Sequence, residues 1–179
     1  MDIIFALVLG FWIVIPAYAA NGFAPFARGK RRIDFGLNFF DGKPIFGPGK
    51  TWEGLIFAVF MGTLFGAVEI YFYPQLNAIA LENGLALFEL SIFSVFLVAL
   101  GAMLGDMLGS FIKRRMGISR GRSAPLLDQL DFLFGAFVFA YVFFEISFMS
   151  VLLYLMITPF VHLTCCFIGN KLGVKKEPW

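Results

Sequence analysis

Residues Phe88–Lys113 read FELSIFSVFLVALGAMLGDMLGSFIK, and their reading decides the fold. From Phe88 to Leu108 the run approaches the ~20 apolar residues that a helix needs to cross a bilayer core. Gly101, Gly105 and Gly109 recur every four residues, a spacing that lets helix backbones approach closely in lipid. Asp106 interrupts the run near its end, and Lys113 lies just beyond it. Lipid is the solvent this stretch suits.

Four further runs share that character: Ile3–Ala20, Leu55–Tyr73, Phe132–Phe148 and Val151–Ile168. Composition agrees, since 60% of the 179 residues are hydrophobic and the mean hydropathy is +0.85. Soluble domains run nearer to about 45–50% apolar. In lipid every backbone polar group needs an internal partner, which makes helices the default, and no barrel-type alternation is visible. The expectation is an all-α polytopic bundle of about five transmembrane helices, one membrane domain over 1–179. Met149 and Ser150 would join the last two spans in a tight hairpin. Met1–Ala20 lacks a basic leader, Asp2 being its only charge, so it reads as a first span rather than a signal peptide.

Charge placement sets the topology. Arg28, Lys30, Arg31, Arg32, Lys43 and Lys50 fall between spans one and two. Lys113, Arg114, Arg115, Arg120 and Arg122 fall between spans three and four, and Lys171, Lys175 and Lys176 follow span five. These are all 14 Lys and Arg of the chain, and five spans put them on one side. The positive-inside rule assigns that side to the cytoplasm, with loops 21–54 and 109–131 inside and the N-terminus outside. Gly62 and Gly66 repeat the small-residue spacing in span two. Packing within the bundle is the first reading of both stripes, and a homodimer the second.

Two polar segments on the basic side carry candidate chemistry. Gly47-Pro48-Gly49-Lys50-Thr51-Trp52-Glu53-Gly54 runs into span two. Glycine N–H groups, a helix N-terminus and a lysine suit a phosphate, although the spacing is not that of a P-loop. A turn with an interfacial Trp and a snorkelling Lys is the plainer alternative. The second segment holds Asp106, Ser110 and Lys113 on one face of span three, with Arg114 beside it, and Asp128 and Asp131 on one face at the start of span four. An ionised Asp within the bilayer costs about 2.5–3.5 kcal/mol on insertion scales, so Asp106 reads as functional. Three converging carboxylates call for a cation, and an all-oxygen set suits Mg²⁺ shared with phosphate. The plainer alternative makes Asp128 and Asp131 partners of a helix dipole and of arginines.

The other polar residues point elsewhere. His162 lies mid-span after Pro159 and reads as packed or hydrogen-bonded rather than catalytic. Adjacent Cys165 and Cys166 suit neither a disulfide nor zinc spacing and read as lipid- or core-facing packing residues. Glu69 and Glu145 sit toward the outer ends of their spans, where they would snorkel outward or pair with polar groups. No Ser-His-Asp or Cys-His set is evident, which argues against covalent catalysis.

The stretches PAYAANGFAPFARGKRRIDFG (Pro16–Gly36), FDGKPIFGPGKTWEG (Phe40–Gly54), GDMLGSFIKRRMGISRG (Gly105–Gly121) and LDQLDFLFGAF (Leu127–Phe137) resemble the CDP-archaeol synthase family over nearly the whole chain. The chain is more distantly similar to CDP-diacylglycerol synthases, through Lys50–Gly54 and the pair Asp128 and Asp131. Against that wider class it is short, lacks a Gly-His-Gly-Gly stretch where Pro125-Leu126-Leu127 stands, and has Ser119-Arg120 for a Lys-Asp pair. The resemblance implies transfer of CMP from CTP to an isoprenoid-ether lipid phosphate at the membrane, with Mg²⁺ and release of pyrophosphate. It implies metal binding by Asp106, Asp128 and Asp131. Lys50, Thr51 and Lys113 would hold the CTP phosphates, with Arg114 and Arg120 on either phosphate group. Asn21, at the start of the first loop, would meet nucleotide or headgroup. Neither nucleic acid nor an obligate protein partner is implied. The alternatives are a CDP-diacylglycerol synthase on ester lipids, a CTP-dependent polyprenol kinase, and a small transporter, which would need polar residues throughout the membrane depth.

Overall fold

Each of the first three apolar runs becomes a helix headed by a polar cap, which satisfies N–H groups that have no partner within the helix. In the computed structural model, which describes residues 2–171 and Gly173, Asp2 accepts from the Ile4 N–H at the head of α1 (Ile3–Phe23). Thr51 does so for Gly54 at the head of α2 (Trp52–Glu82). Ser91 and Ser94 form a reciprocal capping box at the head of α3 (Ile92–Arg115). Two more helices follow, α4 (Leu127–Ala140) and α5 (Phe148–Lys171). Among the described residues there is no strand, only isolated bridges of Arg32 with Thr51 and Asn38 with Pro44.

The boundaries differ from the sequence expectation in instructive ways. Asn21 lies in the last turn of α1, not in a loop, and α2 continues through Pro74 to Glu82. Lys113, Arg114 and Arg115 are helical, in the last turn of α3, where cations oppose the helix dipole favourably. The fourth run is the main correction. The helix there spans 14 residues, Leu127–Ala140, and ends well before Met149, so no hairpin forms at Met149–Ser150. At 1.5 Å per residue it is about 21 Å long, and the other four helices are the ones long and apolar enough to cross a membrane. Beyond Ala140 the chain is irregular, yet Phe144 and Ile146 are buried. Their neighbours in the core include Leu85, Leu87 and Leu90 from the segment before α3. Irregular backbone at membrane depth is tolerated when protein covers it. The Phe143 ring lies 5.9 Å from that of Phe93, near the start of α3, so the chain still traverses the bundle alongside α3. Lys175 and Lys176 lie outside the described residues.

α3 is the centre of the bundle. A Cβ on Gly105 would strike the Asp131 carbonyl, and one on Gly135 would come within 2.9 Å of Gly105 Cα. Gly101 meets the Gly135 carbonyl and the Phe139 ring in the same way. The glycine stripe of α3 is therefore filled by the chain's own α4. Gly62 and Gly66 of α2 are pressed against Ala99 and Val95 of α3, and Gly62 also against the Pro16 carbonyl of α1. α5 stands at the edge, packed on α1 and α4 through a narrow stripe that includes Ser150, Tyr154 and Thr158. Its polar groups fasten it: the Tyr154 hydroxyl donates to the Leu7 carbonyl at 2.9 Å, and Tyr18 and Thr158 share a hydroxyl bond of 2.6 Å. Glu69, expected to reach outward or pair, is instead buried with no hydrogen-bond partner for either oxygen.

The loop between α1 and α2 is built rather than slack. Asp34 is 4% exposed, and its carboxylate accepts from the N–H groups of Gly36 (3.0 Å), Phe46 (3.1 Å) and Gly47 (2.8 Å). Burial alone would raise its pKa, but these donors and the Arg32 charge outweigh that and hold the carboxyl below its usual range. A second latch joins the loop to the end of α3. Lys43 Nζ donates to the Arg115 carbonyl at 2.7 Å, while Arg115 pairs with Asp41 at 2.9 Å and donates to the Lys43 and Pro44 carbonyls.

Two outcomes follow from this packing. Gly105→Val should destabilise the protein by about 1–3 kcal/mol or more through overpacking, whereas Gly22→Ala, in a helix with open space at Cβ, should be neutral or stabilising; thermal unfolding in nanodiscs compares them. Asp34→Asn should speed hydrogen exchange at the Phe46 and Gly47 amides by about tenfold or more, since hydrogen bonds to charged groups contribute about 1.5–3 kcal/mol. Because the Asp34 pKa is lowered on folding, its stabilisation is complete above about pH 5 and fades as pH falls through the depressed value. Acid should therefore loosen this loop in the parent and leave the already loosened Asn variant unchanged.

Candidate active site

The glycine seam determines where the aspartates sit. Asp106 lies one residue beyond Gly105, and Asp131 is the α4 residue whose carbonyl faces Gly105 and whose carboxylate faces Gly109. Asp128 is one turn earlier in α4, its position held by two bonds to Ala124: its N–H donates to the Ala124 carbonyl and its Oδ2 accepts from the Ala124 N–H at 2.9 Å. Just before it Leu126 takes a positive φ of 66°, a conformation that bulky residues rarely adopt. Its N–H is bound by Gln129 Oε1.

Lysines from separate parts of the chain meet these acids. Lys50 Nζ is 2.5 Å from Asp106 Oδ2, and Lys113 Nζ is 2.5 Å from Asp128 Oδ1. Both pairs are only partly covered, so they remain open to exchange with an incoming ion. Among the described residues no lysine is paired with Asp131. It lies in the field of Asp106, Asp128 and Lys50, and its Oδ1 accepts from its neighbour's N–H, that of Phe132. Across the α3–α4 seam Asp131 feels the charges of Asp106 and Asp128. Their repulsion is already relieved by lysine, so the folded chain alone does not demand a divalent cation. Among the described residues no three acidic, His or Cys side chains form a ready metal cage. The donor set fits Mg²⁺ in its usual manner, with one or two carboxylates completed by phosphate oxygens and water.

Two recesses adjoin the ion pairs. The larger, about 850 Å³, is lined by Asp106, Asp128, Lys50, Thr51, Lys113, Arg120 and Asn21, and it extends to His162, Cys165 and Cys166 on α5. The smaller, about 120 Å³, is lined by Lys50, Lys113, Arg114, Arg120, Ser110 and Gly49. Arg114 Nε is buried there with no hydrogen-bond acceptor. Four cations around a space of that size make a strongly anion-attracting pocket. Asp131 lines neither recess.

Lys50 and Thr51 differ from their simplest readings. Lys50 points inward to Asp106 instead of snorkelling, while the Thr51 hydroxyl is occupied as the cap of α2. Glu53, next to the exposed Trp52, accepts from the Arg31 N–H and ties the start of α2 to the first loop. Sequence reasoning missed Asp34, whose bond to Gly47 shapes the glycine loop before Lys50. It also read His162 as packed or hydrogen-bonded and the two cysteines as packing residues, whereas all three line the large cavity. Cys166 Sγ lies 3.6 Å from His162 Nδ1, one helical turn away. Helical spacing could have shown that pair; nothing in the sequence showed what it faces.

Known proteins resemble this chain along most or all of its length. A family model described as "CarS-like: CDP-archaeol synthase" matches residues 1–179. Curated CDP-archaeol synthases are similar at full length: that of Methanosarcina mazei is 43% identical over 93% of this chain and 100% of its own. That of Methanocaldococcus jannaschii is 39% identical over 97% of each. A solved structure described as an intramembrane enzyme for archaeal membrane lipids biosynthesis superposes with a TM-score of 0.74 at 34% identity, covering 88% of this chain and 92% of the other. With the family model matched across the whole chain and the curated relatives matched at full length, the chain belongs to the CDP-archaeol synthase family.

Proposed function

We infer that this multi-pass membrane enzyme transfers the cytidylyl group of CTP to the phosphate of an isoprenoid-ether glycerolipid, releasing pyrophosphate. The observation that carries the reading is the pair of lysine–carboxylate contacts, Lys50 with Asp106 and Lys113 with Asp128, on the wall shared by a cationic recess and a larger cavity. The smaller recess suits a polyphosphate. The larger is roomy enough for a lipid headgroup and nucleotide together, and Tyr18, Phe26, Val161 and Ile168 give part of its wall an apolar lining for the chains. The full-length relatives are CDP-archaeol synthases, and neither the ester-lipid nor the kinase alternative draws support from them.

The chemistry asks little of the protein in proton transfer. A lipid phosphate oxygen is ionised near neutral pH and attacks the α-phosphorus of CTP in line. The new P–O bond joins the two phosphates as the α–β bridge breaks, and the electron pair leaves on pyrophosphate. Catalysis then rests on positioning and charge neutralisation. Lys50 and Lys113 would exchange their carboxylate partners for phosphate oxygens, with Arg114 and Arg120 holding the far end of the triphosphate. Thr51 would contribute through the helix start it caps, and Asn21 would meet headgroup or nucleotide. Asp106, Asp128 and Asp131 would hold Mg²⁺, as one ion or two, with phosphate oxygens. Bound there it would offset charge developing on the triphosphate. The basic face is cytoplasmic in this reading, because all Lys and Arg of the first and third loops lie at that end.

Purified protein given labelled CTP, Mg²⁺ and either isoprenoid-ether or acyl-ester phosphatidic lipid tests the reading. CDP-lipid and pyrophosphate should form, with preference for the ether lipid; CDP as product would indicate a kinase instead. Asp106→Asn should insert normally and lose about 100-fold or more in rate, the scale seen when one preorganised charge-stabilising group is removed. Substantial residual activity would remove Asp106 from metal binding. Lys50→Ala should raise the apparent KM for CTP by about 10–100-fold, as expected for one charge-assisted contact. An unchanged KM would return Lys50 to a structural part.

A further inference from the structure

The tip of the first loop exposes apolar side chains that nothing among the described residues covers. Phe40 is 99% exposed, Phe35 77% and Leu37 60%. Phe35 is also held at a φ of 50°, a costly conformation for a bulky residue, while its ring faces outward. In a water-bathed loop such a cluster would be an aggregation liability. This loop, however, is pinned to a membrane-spanning helix. The Phe39 ring sits edge-on to Phe111 of α3 at 5.2 Å, and Arg115 lies over both rings at 5.1 and 4.4 Å. Phe111 stands beside the exposed stripe of Leu104, Leu108 and Ile112, which faces lipid in a bundle of this kind. The lipid-facing surface of α3 therefore continues without a break onto Phe39 and, through a ring contact of 5.0 Å, onto Phe40.

We propose that this tip, with Phe40 at its end, inserts into the headgroup and acyl boundary of the leaflet on the active-site side, making the first loop a second membrane anchor. Aromatic rings favour that depth. Lys30, Arg31 and Arg32, all exposed at the base of the loop, would meet anionic lipid phosphates there. The consequence for the site is mechanical. Asp34 bonds to Gly36 on the tip side and to Gly47 on the other, so the depth of the tip sets the depth of the glycine loop and Lys50. A site that must meet a lipid phosphate gains from being held at headgroup level. The inference rests on the membrane fold and not on the reaction assigned to the site.

The test replaces Phe40 with the photocrosslinker benzoylphenylalanine in full-length protein reconstituted into anionic-lipid vesicles. Phe40 is 99% exposed, so folding should be untouched, and a thermal unfolding midpoint matching that of the parent serves as the check. Irradiation should yield mainly a lipid adduct by mass spectrometry. An adduct to a second copy of the chain, or no adduct beyond quenching by water, overturns the proposal. In a companion variant, Phe40→Trp, the added emission should be quenched by lipids brominated near the headgroup; quenching by aqueous acrylamide alone would also overturn it. Both readouts stand whether or not the enzyme proves to use CTP.

Discussion

Gly101, Gly105 and Gly109 remove the side chains that would hold α3 and α4 apart, and Gly135 does the same from the facing helix. In lipid there is little hydrophobic gain in bringing two helices together, so close packing of backbone on backbone must supply the attraction. The seam does more than stabilise. It places Asp131 against Gly109 and leaves Asp106, one residue past Gly105, at the edge of the contact. A wider spacing, as larger residues would impose, would separate the acids that the site brings together. Packing and chemistry share the same four glycines.

On that frame the charges are arranged in alternation. Two carboxylates each hold a lysine, and two arginines stand around the adjoining recess. Partial burial strengthens such pairs relative to water, while their openness keeps them replaceable by phosphate. This is the balance a phosphate-handling site needs: enough attraction to keep the empty site folded, without pairs so deeply buried that a substrate could not compete. Arg114, with Nε buried and unsatisfied, shows the same bias toward an arriving anion.

The first loop translates membrane position into site position. Asp34 closes it from within and the Arg115–Asp41 and Lys43 contacts fasten it to the end of α3. The Gly47–Gly49 turn is thus held between helix ends rather than swinging free, which preorganises the N–H groups near Lys50. At the opposite end, the irregular segments before α3 and after α4 cover one another with leucine and phenylalanine, including the Phe88–Phe144 contact at 5.4 Å. The bundle is closed there and open toward its charged face.

Much of this was legible from the chain alone. Long apolar runs specify membrane helices because lipid leaves the backbone no other partner. Asp106 declared itself because an acid in such a run is expensive without a use. The grouping of all Lys and Arg into alternate loops and the stretch after the last span aligned the polar ends. Other features depended on contacts between residues far apart in sequence. The break after Ala140 is invisible to hydropathy, which counts apolar residues whether their backbone is helical or merely buried. Lys50 finds Asp106 across 56 positions, and no local pattern distinguishes that partner from a lipid headgroup. Asp34 looks like any turn aspartate until Phe46 and Gly47 fold back onto it. The sequence by itself determined which segments enter the membrane and which side gathers charge, since both follow from the solvation of individual residues. Only the tertiary structure decided which acid meets which base and where the cavities open, since those depend on how closely the helices pack.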